Sequence, residues 1–253
     1  PNESWNKDCS AGCTSTVTTD VVDPSGNGTR YTFSNRYDAT ESLLQQTDYY
    51  TGAVGGTLLR SAVTAYANPT GGPWPAMLGS STQVVVNDAQ LGELIPVSQQ
   101  TLQQDGDTYV WLAEAFNAYA QVTKTKRYNS IAGQAAIEEQ TSYLNDLPHW
   151  VLGLPQETDN LTTGETENIN TYDLSNVTLQ SRSRFGQTLM SYAFDGQGQL
   201  ASFTDPNSHT TTLSNYKRGI PQTIGYPDNT SQSLAVDDFG QISSITDQAG
   251  STT

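Results

Sequence analysis

The chain has 253 residues, of which 35% are hydrophobic, and a formal net charge of −15 at pH 7. This length allows one large domain or two smaller ones with a sizeable core. No apolar run approaches the roughly 18–20 residues of a membrane-spanning helix, and 11 Lys and Arg against 26 Asp and Glu weigh against a nucleic-acid partner. The abundance of Thr, Ser, Gly and Tyr predicts a β-rich protein with many turns.

The two cysteines, Cys9 and Cys13, stand close together in the segment CSAGC. A local disulfide between them is the prediction for a secreted chain, and two free thiols are the alternative. A zinc site is disfavoured because the two histidines, His149 and His209, are distant in the sequence. No basic and apolar leader opens the sequence. We expect either that a leader has been removed or that the sequence is part of a longer one, and we expect the protein to be secreted or at the cell surface.

The N-terminal third is predicted to form hairpins that end at a loop. Residues 16–67 are interpreted as N-terminal hairpins, in which Pro24 stands in a turn of the segment VVDPSGNGTRYTF (21–33). Residues 68–80, NPTGGPWPAMLGS, break the pattern with Pro and Gly and predict a loop. We expect Trp74 to pack within this loop, and a partner-binding tip is the alternative.

Residues 81–150 are predicted to be divergent hairpins. The segment QDGD (104–107) is typical of a hairpin turn. TYVWLAEAFNAYA (108–120) has helix-forming residues, but a strand is favoured because the segment keeps the repeat spacing, with Ala120 where glycine stands elsewhere. For residues 131–144 a strand and one short helix both remain open.

A repeat defines the C-terminal part of the chain. FDGQGQLASFTD (194–205) returns 42 residues later as VDDFGQISSITD (236–247). Gly219 stands midway, 21 residues from both Gly198 and Gly240, so the period is 21 residues. Apolar residues recur six positions before these glycines, at Tyr192, Leu213 and Leu234, and five positions after them, at Phe203, Ile224 and Ile245.

Each repeat is interpreted as a β-hairpin. A proline such as Pro206 fixes φ at one corner of a turn, and the residues after it tolerate the left-handed conformation. The glycine at the other end is expected at positive φ. Leu200 and Phe203 are three residues apart, as are Ile242 and Ile245, so regular alternation cannot place both on one face. This spacing predicts a β-bulge beside the glycine.

The segments YDLSN, FDGQGQLASFTDPNSHTT and VDDFGQISSITDQAGSTT resemble the RHS or YD repeat, whose pattern is roughly Tyr-Asp, two residues, Gly-Arg-Leu, then Thr-Asp-Pro, one residue and Gly. The resemblance is clear over residues 16–38 and 172–253. Asn176 departs from it by replacing the repeat glycine, and Gln replaces Arg after the glycine at 199 and 241. The resemblance assigns structural repeat positions to Tyr172, Asp173, Phe194, Asp195, Gly198, Asp205, Pro206, Gly219, Pro227, Asp237, Gly240 and Asp247.

The resemblance implies an all-β fold with little helix, in which stacked hairpins of about 21 residues form a curled strip or part of a hollow shell. Such shells occur in bacterial RHS toxins, in the shell component of insecticidal toxin complexes and in teneurins, and the bacterial shells enclose a C-terminal toxin. We therefore interpret residues 1–253 as a single strip with its clear repeats in 151–253. The family's core segment, where the toxin is cut free, and a recognisable toxin are not in the sequence, so a wall section is expected.

No catalytic constellation is apparent in the sequence. A Ser or Cys nucleophile usually needs a nearby His base, and the two histidines accompany no nucleophile motif. The aspartates that recur with the repeat are interpreted as turn residues, since a glycosidase pair would be singular. We predict no enzyme activity, no metal and no cofactor, and calcium at DPSGNG (23–28) or DGD (105–107) is a minor alternative.

Two further groups of side chains receive structural interpretations. Lys124, Lys126 and Arg127 are expected to form a solvated strand face rather than a phosphate site. His149 and Trp150 are expected to pack beside a turn and strand rather than to catalyse. Neither group is therefore predicted to form an active site.

The predicted function is that of a structural segment building a β-shell that encloses or presents a cargo such as a C-terminal toxin. The alternative is an extracellular carbohydrate-binding or adhesion module, in which Tyr and Trp stack on sugars. The expected partners are the remaining repeats of the same polypeptide, another copy of the chain or an enclosed toxin domain, with surface glycans under the alternative. The final hairpin has barely begun its return strand, so we expect open strand edges that pair with a neighbour.

Overall fold

The computed structural model describes residues 2–4, 16–36, 40–75 and 94–253, and these residues form strands and turns without a helix. The described part of the chain accordingly holds no helix long and apolar enough to cross a membrane. The pairings are antiparallel, which confirms the expected all-β class. The strands are β1 Asn2–Ser4, β2 Thr16–Val22, β3 Gly28–Ser34, β4 Leu44–Thr51, β5 Thr57–Tyr66, β6 Val97–Gln104, β7 Asp107–Phe116, β8 Val122–Asn129, β9 Ile137–Asp146, β10 Val151–Asn160, β11 Glu165–Asp173, β12 Thr178–Arg184, β13 Gln187–Phe194, β14 Leu200–Thr204, β15 Thr210–Lys217, β16 Ile220–Gly225, β17 Ser231–Val236 and β18 Ile242–Thr246.

The strands belong to two compact units, each of which is a succession of hairpins. The first unit comprises Pro1–Gln140 and Leu161–Thr163, and the second comprises Thr141–Asn160 and Gly164–Thr253. In the first unit, β1 pairs with β2, and β2 to β8 each pair with the next strand in sequence. In the second unit, β10 to β18 also pair in chain order. The topology is therefore local within each unit.

The bulges expected beside the repeat glycines are confirmed. Phe194 pairs with Leu200, but Ala193 pairs with Ser202, so one residue of β14 has no opposite partner. The same register shift occurs between β17 and β18. Because a bulge adds one residue to one strand, it returns Leu200 and Phe203 to the same face despite their spacing of three.

The recurring apolar residues of the repeat face each other across the hairpins. Residues directly opposite in an antiparallel pair lie on the same face of the sheet. Each 21-residue period therefore supplies one apolar cross-strand pair, and all of these side chains are half-buried. The pairs are Tyr192 with Phe203, Leu213 with Ile224, and Leu234 with Ile245.

Few of the described side chains are fully buried. The buried apolar ones are Trp74, Val110, Ala113 and Val236. Within the residues that the structure describes, strand pairing and turns rather than a large buried core hold the hairpins together.

The loop after β5 is organised around Trp74. Its indole is 5% exposed and meets the ring of Phe116 edge-on, with centroids 5.1 Å apart. The indole N–H donates to the carbonyl of Pro69 at 3.0 Å. The expectation that Trp74 packs within the loop is confirmed, and the loop is described up to residue 75.

The middle of the chain is built from strands. Residues 108–120 are strand as far as Phe116, and the expected QDGD turn is present with φ of +54° at Asp105 and +86° at Gly106. The short helix considered for residues 131–144 is replaced by β9. The reason is tertiary pairing, since residues 137–140 of β9 pair with residues 124–127 of β8, with Glu138 directly opposite Lys126.

Trp150 differs from expectation. It lies in the turn between β9 and β10, has a φ of +55° and is 76% exposed. Left-handed backbone is uncommon for so bulky a residue. Its high exposure shows that the side chain projects from the turn instead of packing as expected.

Gly72→Ala is expected to destabilise the Trp74 loop, because the added Cβ would lie 2.1 Å from the Trp74 ring. Trp74→Ala should lower the free energy of unfolding by about 3–5 kcal/mol, as for other buried large aromatic residues. Urea unfolding followed by circular dichroism measures both changes. Gly196→Ala is the matched control, since nothing lies within 4 Å of its added Cβ. Equal losses for Gly72→Ala and the control would contradict this packing.

Candidate functional site

One five-residue turn recurs in both units, and Asp195 shows its geometry. The amide of Asp195 donates to the carbonyl of Gln199 at 2.8 Å, and the amide of Gly198 donates to the carbonyl of Asp195 at 3.0 Å. Gly198 has a φ of +76°. Oδ1 of Asp195 accepts the amides of Gln197 and Gln199 at 2.9 and 2.8 Å. This is a type I turn followed by a left-handed residue, with the carboxylate satisfying amides that the strands cannot reach.

The same pair of backbone hydrogen bonds closes seven turns among the described residues. In most of them an aspartate comes first and accepts the amides two and four positions later. Asn117 does the same with its amide oxygen, whereas the turn at Tyr226 uses Asp228 to accept one amide. The turns begin at Asp23, Asn117, Asp195, Asp205, Tyr226, Asp237 and Asp247, and their left-handed residues are Gly26, Ala120, Gly198, Ser208, Asn229, Gly240 and Gly250.

Other repeat positions lie beside or within the turns. Pro206 and Pro227 are each the second residue of a five-residue turn, where the fixed φ of proline suits a type I turn. Gly219 forms a two-residue turn with Arg218, and both have positive φ, +80° and +54°, as a type I′ turn requires. Phe194 is the last residue of β13, immediately before a five-residue turn.

Tyr172 and Asp173 end β11 ahead of a longer turn. The hydroxyl of Tyr172 donates to the carbonyl of Pro155 at 2.9 Å, and Oδ1 of Asp173 accepts the amide two residues later at 2.8 Å. The left-handed residue is Val177, with a φ of +53°, one position after Asn176, which aligns with the repeat glycine. This turn therefore differs in length from the others.

Hydrogen bonds within the turns lower the pKa of the aspartates. The amide of His209 is the main cause that holds the pKa of Asp205 below its ordinary value, and the amide of Asn27 has the same effect on the pKa of Asp23. Donors to a carboxylate favour its charged form. These groups are therefore ionised acceptors at neutral pH, unlike a general acid, which must hold a proton near its working pH.

The histidines lie beside aspartates in turns. Nδ1 of His149 is 3.0 Å from Oδ1 of Asp146, and Nδ1 of His209 is 3.2 Å from Oδ2 of Asp205. Within the described ranges, no three His, Cys, Asp or Glu side chains are grouped so that they could hold a metal ion. The carboxylate of Asp23, in a turn considered for calcium, accepts hydrogen bonds from the turn itself. The two cysteines lie outside the described residues.

The basic cluster of β8 is paired with glutamates on the adjacent strands. Nζ of Lys124 lies 2.8 Å from Glu114 and 3.0 Å from Glu138, and Nζ of Lys126 lies 2.9 Å from Glu138. Arg127 pairs with the next glutamate of β9. Because side chains alternate along a strand, Lys124 and Lys126 lie on one face of β8 and Arg127 lies on the other, so the expected single basic face is not formed. All three positive charges are compensated by neighbouring carboxylates.

A groove of about 540 Å³ crosses β5 to β8 in the first unit. Tyr109 and Trp111 alternate with Val110 along β7 and so share one face. Leu102 and Gln100 of β6 lie directly opposite them and are on the same face. The groove therefore joins aromatic, aliphatic and carboxamide side chains from neighbouring strands.

No family model matches the chain, and no curated protein matches it. Solved structures do show similarity. The crystal structure of TcdB2-TccC3-TEV is 12% identical with a TM-score of 0.45, over 89% of this chain and 12% of that one. TcdB2-TccC3-Cdc42 is 12% identical with a TM-score of 0.41, over 91% of this chain and 14% of that one. The chain thus spans a small part of these matched chains.

A porin-like protein from Bacteroides uniformis is 10% identical with a TM-score of 0.29, over 90% of this chain and 93% of that one.

Asp195→Ala is expected to lower the free energy of unfolding by about 1 kcal/mol, the usual net contribution of lost hydrogen bonds. Asp195→Asn should have nearly the same free energy of unfolding as the wild-type protein, because Asn117 already accepts the same two hydrogen bonds in its own turn. Urea unfolding of the two variants measures the difference. Equal losses of unfolding free energy in Asp195→Ala and Asp195→Asn would contradict a stabilising role for the side-chain acceptor.

The free energy of unfolding should fall as the pH drops below about 4, because protonation removes the turn acceptors. The pKa values of Asp23 and Asp205 are lower in the folded chain than the ordinary 3.8. The stabilisation that these two carboxylates contribute to the folded chain is complete above pH 3.8. It is lost as the pH falls through their pKa values in the folded chain. Urea unfolding between pH 7 and pH 3 measures this fall, and Asp205→Asn should make the free energy of unfolding depend less on pH. A free energy of unfolding that does not change with pH in the wild-type protein would contradict the prediction.

Proposed function

We propose that the chain is a non-enzymatic structural segment of the RHS/YD-repeat type, in which successive hairpins build part of a β-shell. The main support is the recurrence of one turn geometry at seven places in the described residues. A binding or catalytic constellation is normally singular, whereas a device that sets hairpin length and register must be repeated.

Exposed apolar side chains on the strands support a role within a larger assembly. Among the described residues, Leu58, Leu59 and Ile242 are 50%, 53% and 47% exposed. Apolar side chains on open strands offer contact surface to neighbouring repeats, another copy or a cargo.

The use of the carboxylates supports the non-enzymatic assignment. In the five-residue turns the aspartates accept backbone amides and thereby serve the hairpins. The histidines interact with aspartates at turns as well. These aspartates and histidines, which are residue types that often act as general bases, therefore stabilise turns in the chain.

In this proposal the hairpins enclose or present a cargo such as a C-terminal toxin, outside the cytoplasm. The cargo lies against an open sheet face, which holds it away from solvent. The other partners are the remaining repeats of the same polypeptide or a further copy of the chain. A disulfide between Cys9 and Cys13 would fit the oxidising environment of a secreted shell.

Light scattering of the purified chain across a range of concentrations tests the proposal. A segment whose faces seek neighbours should grow in mean mass as concentration rises and should dissociate on dilution. Leu58→Asn combined with Leu59→Asn should weaken this growth, because these side chains are 50% and 53% exposed. Thr57→Asn is the adjacent polar control. A monomer of constant mass at every concentration would instead indicate a self-contained module.

A further inference from the structure

Two neighbouring turns of the second unit lie at the same edge of its sheet. The turn 147–150 precedes β10 and the turn 174–177 follows β11, and β10 and β11 run antiparallel to each other. The two turns are therefore two strand spacings apart, which is about 10 Å. The hydroxyl of Tyr172 donates to the carbonyl of Pro155 at 2.9 Å and joins the two hairpins close to this edge.

The two turns carry three exposed apolar side chains, Leu147, Trp150 and Leu174, which we name the apolar tip. Each of the three is more than half exposed. The backbone of both turns is also strained, with a φ of +55° at Trp150 and +53° at Val177, because bulky and β-branched residues rarely adopt this conformation. Strain of this kind is concentrated at functional sites. Exposure and strain in the same two turns therefore indicate a contact surface.

The size of the apolar tip indicates the kind of partner. Three side chains are far fewer than the roughly 20–30 residues that each partner contributes to a stable protein interface. A bilayer surface needs no matching shape, since it accepts any apolar side chain that reaches it. Tryptophan suits that position, because its ring is apolar while its indole N–H can bond to water and head groups. The apolar tip therefore fits a lipid surface better than a folded protein.

The charges beside the apolar tip indicate the kind of lipid. Asp146 precedes the first turn and Asp173 precedes the second. The amide of His149 holds the pKa of Asp146 below its ordinary value, and the hydroxyl of Ser175 has the same effect on the pKa of Asp173. Both carboxylates are thus charged at neutral pH, in a chain whose net charge is −15. Anionic lipids repel such a surface, so charge favours a zwitterionic one.

We propose that the apolar tip docks the protein onto a membrane surface of zwitterionic phospholipid. The ring of Trp150 enters the head-group region, and Leu147 and Leu174 reach the upper part of the acyl chains beside it. The carboxylates of Asp146 and Asp173 remain in water. Docking through three side chains is peripheral and reversible, and it is a role separate from that of the hairpins in a shell.

Flotation with vesicles of phosphatidylcholine tests this proposal, at a protein concentration where light scattering shows no growth in mass. The wild-type chain should float with the vesicles, and lipids brominated in their acyl chains should quench its tryptophan fluorescence. Trp150→Asn should weaken vesicle binding by about tenfold or more, because a large apolar side chain is no longer buried. Leu174→Asn should weaken binding as well. Asparagine tolerates the left-handed conformation, so Trp150→Asn should leave the turn intact.

Phe185 provides the matched control. It is also an aromatic residue in a turn, more than half exposed and with a φ of +47°, but its turn between β12 and β13 lies at the opposite edge of the sheet. Phe185→Asn should leave vesicle binding unchanged, and circular dichroism checks that all variants keep their strands.

Three results would overturn the proposal. The first is a wild-type chain that does not float, and the second is binding only to vesicles that contain anionic phosphatidylglycerol. The third is a Trp150→Asn variant that loses no more binding than Phe185→Asn does. The light-scattering test of the structural role uses no lipid, so the two proposals can fail independently.

Discussion

The rest of the structure depends on the hydrogen bonds that a side-chain oxygen at the start of a turn accepts from two amides of that turn. In the turn at Asp195 these bonds fix a loop of three residues and hold Gly198 in the left-handed conformation. Loop length and turn type set the register of the strands on either side. Register then decides which side chains face each other, so the pairing of Tyr192 with Phe203 follows from a bond several residues away.

This local control explains why the repeats can diverge. Six of the seven described turns have a side-chain acceptor at their first position, and all seven have a residue with positive φ at their fourth. Asn117 and Ala120 fill these positions without the aspartate and glycine that are found in four of the other turns. Because the hairpins do not depend on a large core, their faces are free to vary. In the first unit, an aromatic groove crosses β5 to β8. In the second unit, Trp150 is exposed in a turn.

The sequence was sufficient to predict features that depend on local geometry. The glycine period, the bulge beside Gly198 and the turn at 104–107 are all consequences of short-range backbone constraints. The exposed Trp150 and the left-handed Val177 were missed because neither residue type indicates that conformation. The groove was also missed, since it requires the combined register of four strands. The helix considered for 131–144 failed because cross-strand pairing outweighed propensity.

Hydrogen–deuterium exchange resolved to single amides, compared between the unchanged protein and Asp195→Ala, tests the central claim most directly. If the carboxylate organises the turn, the amides of Gln197 and Gln199 should exchange faster in the variant, followed by the adjacent strand amides of β13 and β14. The equivalent amide of Gln241, in the turn at Asp237, should keep its protection. Unchanged exchange at Gln197 and Gln199 would contradict the account.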